Sequence, residues 1–217
     1  MRYRCLVLDH DDTVTDSTAK VHYPAFLEAL REMRPGVTMD LHAYFMFNFE
    51  PGFLEYCTET LRMTEEELAR ETVIWDRYMQ THIPDVFPGM KRVIERQLRE
   101  GGYVCVISHS LAHNIRRDYR TAGLPEPELV FGWEQPPERR KPHPWPLLEV
   151  MRRLSLSPSE LLMVDDMRPG YEMAKSCGVD FAAAMWAYDE REIREVMRCC
   201  GRPFDTPEQL ERWLFEE

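Results

Sequence analysis

Acidic side chains gather at two places in this 217-residue chain, each at the end of a short apolar run. The first run leads into Asp9-His10-Asp11-Asp12-Thr13, and the second, Leu161-Leu162-Met163-Val164, leads into Asp165-Asp166. Carboxylates this close repel one another unless a cation neutralises them. Side by side, the two run ends would supply hard oxygen ligands for Mg²⁺, which takes one or two carboxylates and keeps water and substrate phosphate for its other positions. The competing reading of the first cluster alone is an acidic loop with capping side chains. A third apolar run, residues 103–107, ends in Ser108-His109-Ser110 and enters a helical pattern. A hydroxyl beside backbone N–H groups at a helix N-terminus is an anion site, although serine there also serves simply as an N-cap. Lys141 stands in Arg139-Arg140-Lys141-Pro142-His143-Pro144, a proline-stiffened stretch before a helix, whose alternative is a solvated basic cluster.

These groups need elements that carry them to one place. Residues 4–8, 103–107, 161–164 and 180–184 are short continuous apolar runs of the kind buried in parallel sheets, and 130–133 is a weaker fifth. Between them lie helical periods with helix punctuation: residues 88–100 stop at Gly101-Gly102, 111–122 at Gly123, and 171–177 at Gly178. Residues 144–154 follow Pro142 and Pro144, and a last helix opens at Thr206-Pro207-Glu208-Gln209. The alternation predicts an α/β fold with a Rossmann-like, doubly wound parallel sheet, in which ligands bind at the C-terminal strand ends. Residues 16–85 break the pattern. They hold helix openings at Pro24, Asp40 and Pro51 and a cap at Thr64-Glu65-Glu66-Glu67, but no convincing strand. The expected organisation is a core of residues 1–15 and 86–217 with a helical subdomain, residues 16–85, inserted after the first strand.

Composition narrows the partners. With 27 basic and 38 acidic side chains the formal charge is −11, which argues against general nucleic-acid or anionic-membrane binding but leaves room for a small phosphorylated metabolite. The inserted region holds 13 acids and 6 bases, so it carries most of the excess. That excess predicts a preference for substrates with one phosphate and an uncharged or cationic remainder. The longest apolar stretch, residues 181–188, falls far short of the roughly 20 residues that span a bilayer. The opening residues run straight from four apolar side chains into carboxylates, unlike a secretory signal, so a cytoplasmic protein, monomer or homodimer, is expected. Six cysteines form no CxxC pair and read as reduced, mostly buried thiols. The seven histidines show no transition-metal spacing.

In chain order, Asp9-x-Asp11-x-Thr13, Ser108 after a hydrophobic strand, Lys141-Pro142-x-Pro144 and the Asp165-Asp166 strand end resemble the four motifs of the haloacid dehalogenase superfamily. The whole chain is similar to a phosphoglycolate-phosphatase-like member with a helical cap inserted after the first motif. The resemblance implies a Mg²⁺-dependent phosphatase of small phosphomonoesters. Asp9 would be the nucleophile and Asp11 the general acid and base. Asp9, the backbone carbonyl of Asp11 and Asp166 would hold the metal, with Asp165 behind them and in reserve as a ligand. Ser108 and the N–H groups after it, His109 included, would hold the phosphoryl oxygens, Lys141 would balance charge, and Thr13 would orient the loop. In the cap, Asn48, Glu50 or Phe47 would touch substrate, unless the aromatics of this stretch are simply the cap's own core. A phosphotransferase or sugar-phosphate mutase needs the same Asp9 and Asp11, and a phosphate-binding regulatory protein is the reading of another class. Two departures stand out: Asp12 occupies a position where the family commonly has glycine, and Gly170 one where it often has a second acid.

Overall fold

Cys5–Leu8 form β1, and all four side chains are buried. A strand apolar on both faces needs cover on both, which a parallel sheet with helices on each side provides. In the computed structural model, which describes residues 1–216, β1 is central. It pairs in parallel with β2 (Tyr103–Ile107) on one edge and β4 (Leu161–Asp165) on the other. With β3 (Leu129–Phe131), β5 (Asp180–Ala184) and β6 (Arg202–Phe204), the sheet order is β3-β2-β1-β4-β5-β6. The chain first winds outward from β1 through β2 to β3, then returns to the other side of β1 at β4. The β1/β4 boundary is therefore the topological switch point, where open α/β sheets leave a crevice.

The helices in chain order are α1 (Tyr23–Met33), α2 (Leu41–Phe49), α3 (Phe53–Glu55), α4 (Glu65–Thr81), α5 (Met90–Arg99), α6 (Ala112–Thr121), α7 (Trp145–Leu154), α8 (Arg168–Cys177), α9 (Arg191–Met197) and α10 (Pro207–Phe215). They fall into two compact units, Met1–Asp16 with the chain from Asp85 onward, and Ser17–Pro84. In the sheet unit, alternate side chains Leu6 and Leu8 of β1 join Val104, Val106, Leu162 and Val164 against Met90, Val93 and Ile94 of α5, Ile115 and Tyr119 of α6, and Leu210 and Leu214 of α10. Each such leucine or isoleucine contributes about 1.5–3 kcal/mol by leaving water. This packing holds the strand ends rigid.

The helical unit contains no strand among the described residues. Its α2 starts where the Asp40 carboxylate accepts from the Ala43 N–H, and α4 where Thr64 and Glu67 form a reciprocal capping box. Phe26, Leu30, Tyr44, Phe47, Cys57 and Met63 form its core, with Phe47 stacked on Tyr56 at 4.0 Å between centroids. Arg34–Glu67 and Arg70–Glu32 ion pairs flank it.

Two elements lie outside the sequence expectation. β6 is an edge strand of three residues containing Pro203, too short and too broken to read as a strand. α9 has only Ile193 and Met197 buried, one turn apart, so it has almost no apolar stripe. The expected helix from 171 begins earlier, at Arg168, because Pro169 sits in its first turn, where a missing N–H costs nothing.

Candidate active site

β1 hands the chain over at Asp9, whose N–H still bonds the Val164 carbonyl of β4 at 2.9 Å, so the first acid is anchored beside the second acidic strand end. Carboxylate oxygens of Asp9, Asp165 and Asp166 lie within 4.8 Å of one another, and all three residues are buried. Lys141 enters this cluster from the loop before α7. Its Nζ donates to Asp9 Oδ1 at 2.7 Å and to Asp165 Oδ2 at 2.6 Å. Asp165 Oδ1 accepts the Met167 N–H at 2.8 Å, so both of its oxygens are engaged by the protein. Asp166 instead faces hydroxyls: Thr13 Oγ1 donates to Oδ1 at 3.1 Å, and the Tyr188 hydroxyl lies 3.3 Å from Oδ2 while also donating to the Asp166 carbonyl. Trp186 Nε1 holds the Thr13 carbonyl at 3.0 Å.

The next groups follow β2. Ser108 is buried, and its Oγ accepts the Ser110 N–H at 3.1 Å. The Ser110 hydroxyl donates to Asp11 Oδ2, joining the loop after β1 to the start of α6. His109 donates from Nε2 to the Lys141 carbonyl at 3.0 Å, and burial together with the Lys141 charge pushes its pKa down to about 4. It is neutral at physiological pH.

Carboxylates crowd the site: Asp9 and Asp165 share the Lys141 ammonium, and Asp165, Asp9 and Asp12 all act on Asp166. Burial pushes Asp165 up to about 7 even though Lys141 pulls the other way. Asp166 is raised well above the carboxylate range by burial and then by the charges of Asp165, Asp9 and Asp12. For Lys141 burial opposes the ammonium, but Asp165 and Asp9 outweigh it and the pKa rises. A buried acid whose charge is disfavoured by burial and by neighbouring carboxylates is the condition a hard divalent cation relieves, and the all-oxygen donor set suits Mg²⁺.

Both departures from the motif pattern have a physical account. Asp12 takes φ 57°, the left-handed conformation glycine adopts freely and Asp tolerates better than most residues, with its N–H on the Thr15 carbonyl at 2.8 Å. The tight turn is thus made without glycine. At Gly170, a Cβ would stand 2.1 Å from Asp165 Oδ2, so the Asp165 carboxylate fills the space a side chain there would need. The structure therefore brings together Asp9, Asp11, Thr13, Ser108, His109, Lys141, Asp165 and Asp166. Asn48 and Glu50 belong to the helical unit: the Asn48 amide donates to the Tyr44 carbonyl at 2.8 Å, and Glu50 caps the C-terminus of α2. Phe47 is part of that unit's core. Sequence reading missed Ser110 as the partner of Asp11 and Tyr188 as the partner of Asp166. Ser110 sat within the recognised motif and could have been named; Tyr188, 22 residues past its partner, carried no signal.

The model of the haloacid dehalogenase-like hydrolases matches residues 3–178, and the chain belongs to that family. It is a hydrolase of that family, similar in fold to a predicted phosphoglycolate phosphatase of Haemophilus somnus (TM-score 0.77, 15% identity, covering 98% of both chains). A Salmonella typhi phosphoglycolate phosphatase is 36% identical over 56 residues, 26% of this chain and 22% of the relative, so the chain matches only about a fifth of that protein's length. Among solved structures, a haloacid dehalogenase family hydrolase of Deinococcus radiodurans with bound phosphate and sodium superposes with a TM-score of 0.76 at 17% identity, covering 99% of this chain and 96% of the other. A mutant of CbbY from Rhodobacter sphaeroides, in complex with xylulose-1,5-bisphosphate, gives 0.72 at 18% identity, covering 96% of both chains. At these identities the structural matches establish the fold. No helix among the described residues is long and apolar enough to cross a membrane.

Proposed function

We propose that this hydrolase is a Mg²⁺-dependent phosphatase of small phosphomonoesters, working through an aspartyl-phosphate on Asp9. The observation that carries the reading is the buried Asp9–Lys141–Asp165 triad beside Asp166, at the sheet's switch point. Asp9 would attack phosphorus, splitting one difficult displacement into two. Lys141, 2.7 Å from Asp9, would hold nucleophile and phosphoryl group together against their repulsion. Asp11, steadied by Ser110, would protonate the leaving oxygen and then take a proton from the attacking water. Ser108 and the first N–H groups of the α6 turn would receive the phosphoryl oxygens.

Asp9, the Asp11 carbonyl and Asp166 would hold the metal, while Asp165, with both oxygens already bonded to Lys141 and Met167, would orient the set from behind. When bound, the ion would neutralise the carboxylates and polarise the phosphoryl group. We read Ser17–Pro84, inserted just after the Asp9–Asp16 loop, as a cap that meets the leaving group, with Asn48 and Glu50 as its contact candidates. The test is phosphate release from a panel of phosphorylated acids, sugars and nucleotides, with Mg²⁺ or with EDTA, for the native protein and Asp9→Asn. Release is expected only from the native protein with Mg²⁺; activity that survives EDTA or the substitution sinks the mechanism.

A further inference from the structure

Strand alternation puts His10 on the core side. Leu6 and Leu8 point into the apolar layer under α5, α6 and α10, and the next side chain of that parity is His10, only 1% exposed. A leucine or phenylalanine would be the ordinary occupant of such a place. Across from it, α6 buries Asn114, Ile115, Asp118 and Tyr119, a face that is half polar where a core-facing helix is normally apolar. The two anomalies meet. His10 Nε2 donates to Asp118 Oδ2 at 3.1 Å, Asp118 Oδ1 accepts from Arg117 Nε at 2.8 Å, and the Tyr119 ring stacks on the imidazole at 6.0 Å between centroids. His10 Nδ1, the Asn114 amide and the Tyr119 hydroxyl have no hydrogen-bond partner among the described residues, so this layer gives up apolar packing and polar satisfaction together. An apolar pair of similar volume would hold the same layers at least as firmly. What such a pair lacks is direction.

Direction matters at this point because His10 joins two halves of the site. Its carbonyl accepts from Val14 N at 2.9 Å, Thr15 N at 3.0 Å and Thr15 Oγ1 at 3.2 Å, which fixes the turn holding Asp9, Asp11 and Asp12. Its side chain is fastened to α6, the helix that opens directly after Ser108-His109-Ser110. We propose that His10 and Asp118 are positioning residues that fix the Asp9 loop against α6, and so fix the nucleophile against the anion cradle at the start of that helix. The proposal rests on the phosphatase reading above. Neither residue touches the reacting atoms; each acts through the geometry it imposes, where a displacement on the order of 1 Å can cost about a hundredfold in rate.

The test compares the native protein with Asp118→Asn, Asp118→Leu and the double variant His10→Phe with Asp118→Leu. Each is assayed for kcat and KM on p-nitrophenyl phosphate with Mg²⁺, for Tm, and by ¹⁹F NMR for the trifluoroberyllate adduct of Asp9. The double variant is expected to melt near the native temperature, because it removes both members of the buried His10–Asp118 pair together and leaves Arg117, whose side chain is 19% exposed, access to water. Its kcat should fall by about 10- to 100-fold with KM changed by less than about threefold, and the adduct's fluorine resonances should shift or broaden. Asp118→Asn keeps an oxygen that accepts from His10 and should recover kcat to within about threefold, whereas Asp118→Leu should not. A double variant with native kcat and native fluorine spectrum overturns the proposal, as does an Asp118→Asn variant no better than Asp118→Leu. Native protein that neither turns over nor forms the adduct overturns the phosphatase reading and this inference with it.

Discussion

Replacing Gly170 by alanine sets a small gain against a large collision. Gly170 lies in the first turn of α8, and a helical glycine changed to alanine ordinarily gains up to about 1 kcal/mol. Here the new methyl carbon would stand 2.1 Å from Asp165 Oδ2 and 2.4 Å from its Cγ, more than 1 Å inside ordinary contact. Two responses are open. The helix can back away from β4, which overpacks or opens the core at about 1–3 kcal/mol. Alternatively, Asp165 can rotate, giving up its bonds to Lys141 at 2.6 Å and Met167 N at 2.8 Å. Losing a buried charge-assisted bond costs about 1.5–3 kcal/mol, with more if the ammonium keeps only Asp9 as partner. The cheaper response sets the outcome: net of the helix gain, the variant should be less stable by about 1–2 kcal/mol, which lowers Tm by roughly 2–8 °C for a chain of this size. Gly36→Ala is the control, since nothing lies within 4 Å of its added carbon. Urea and thermal unfolding of both variants beside the native protein decide the matter. A Gly170→Ala protein as stable as the native one, or more stable, would refute the claim that Asp165 fills this space.

Two other outcomes follow from the same electrostatics. Mg²⁺ should raise the Tm of the native protein, by an amount equivalent to about 2.7 kcal/mol at a hundredfold excess over Kd, and should leave Asp166→Asn unmoved; equal shifts in both would remove Asp166 from the metal site. Glu71, buried in the helical unit, is pushed up to about 7 by loss of hydration, against a smaller opposing pull from His22. Its folded pKa lies above its unfolded value near 4.5, so the unfolded chain loses the proton first: the contribution of Glu71 to stability is greatest below pH 4.5, falls as pH rises, and levels off above pH 7. The full penalty is about 3 kcal/mol, and Glu71→Gln should abolish this slope and exceed the native protein in stability at pH 8, as read by unfolding at pH 5 to 8.

Much of the site is written in short stretches of chain. Asp9-x-Asp11, the Ser108 turn, Lys141 before its helix and the Asp165-Asp166 strand end are each local, because a strand end and its ligand-bearing loop are neighbours in sequence. The four buried strands were legible for the same reason: residues covered on both faces must be apolar in an unbroken run. Edge strand β6, paired on one side only, carries no such demand and contains a proline. The inserted region declared its helices through Asp40 and Thr64, whose side chains cap the N–H groups three residues on.

Only the fold decided how those pieces divide their work. Two adjacent aspartates are equivalent in sequence, yet Asp165 is held by Lys141 and the Met167 amide while Asp166 is left to the hydroxyls of Thr13 and Tyr188. Gly170 reads as a missing acid until the Asp165 carboxylate is found filling its place. His10 and Asp118, 108 residues apart, look like a loop histidine and a helix-surface acid until β1 and α6 are packed together. Sequence by itself determined which chemical groups sit at each strand end, because strand and loop are covalently continuous. Which of them share a hydrogen bond was decided by packing, because a buried polar atom must find its partners among the groups the fold brings to it.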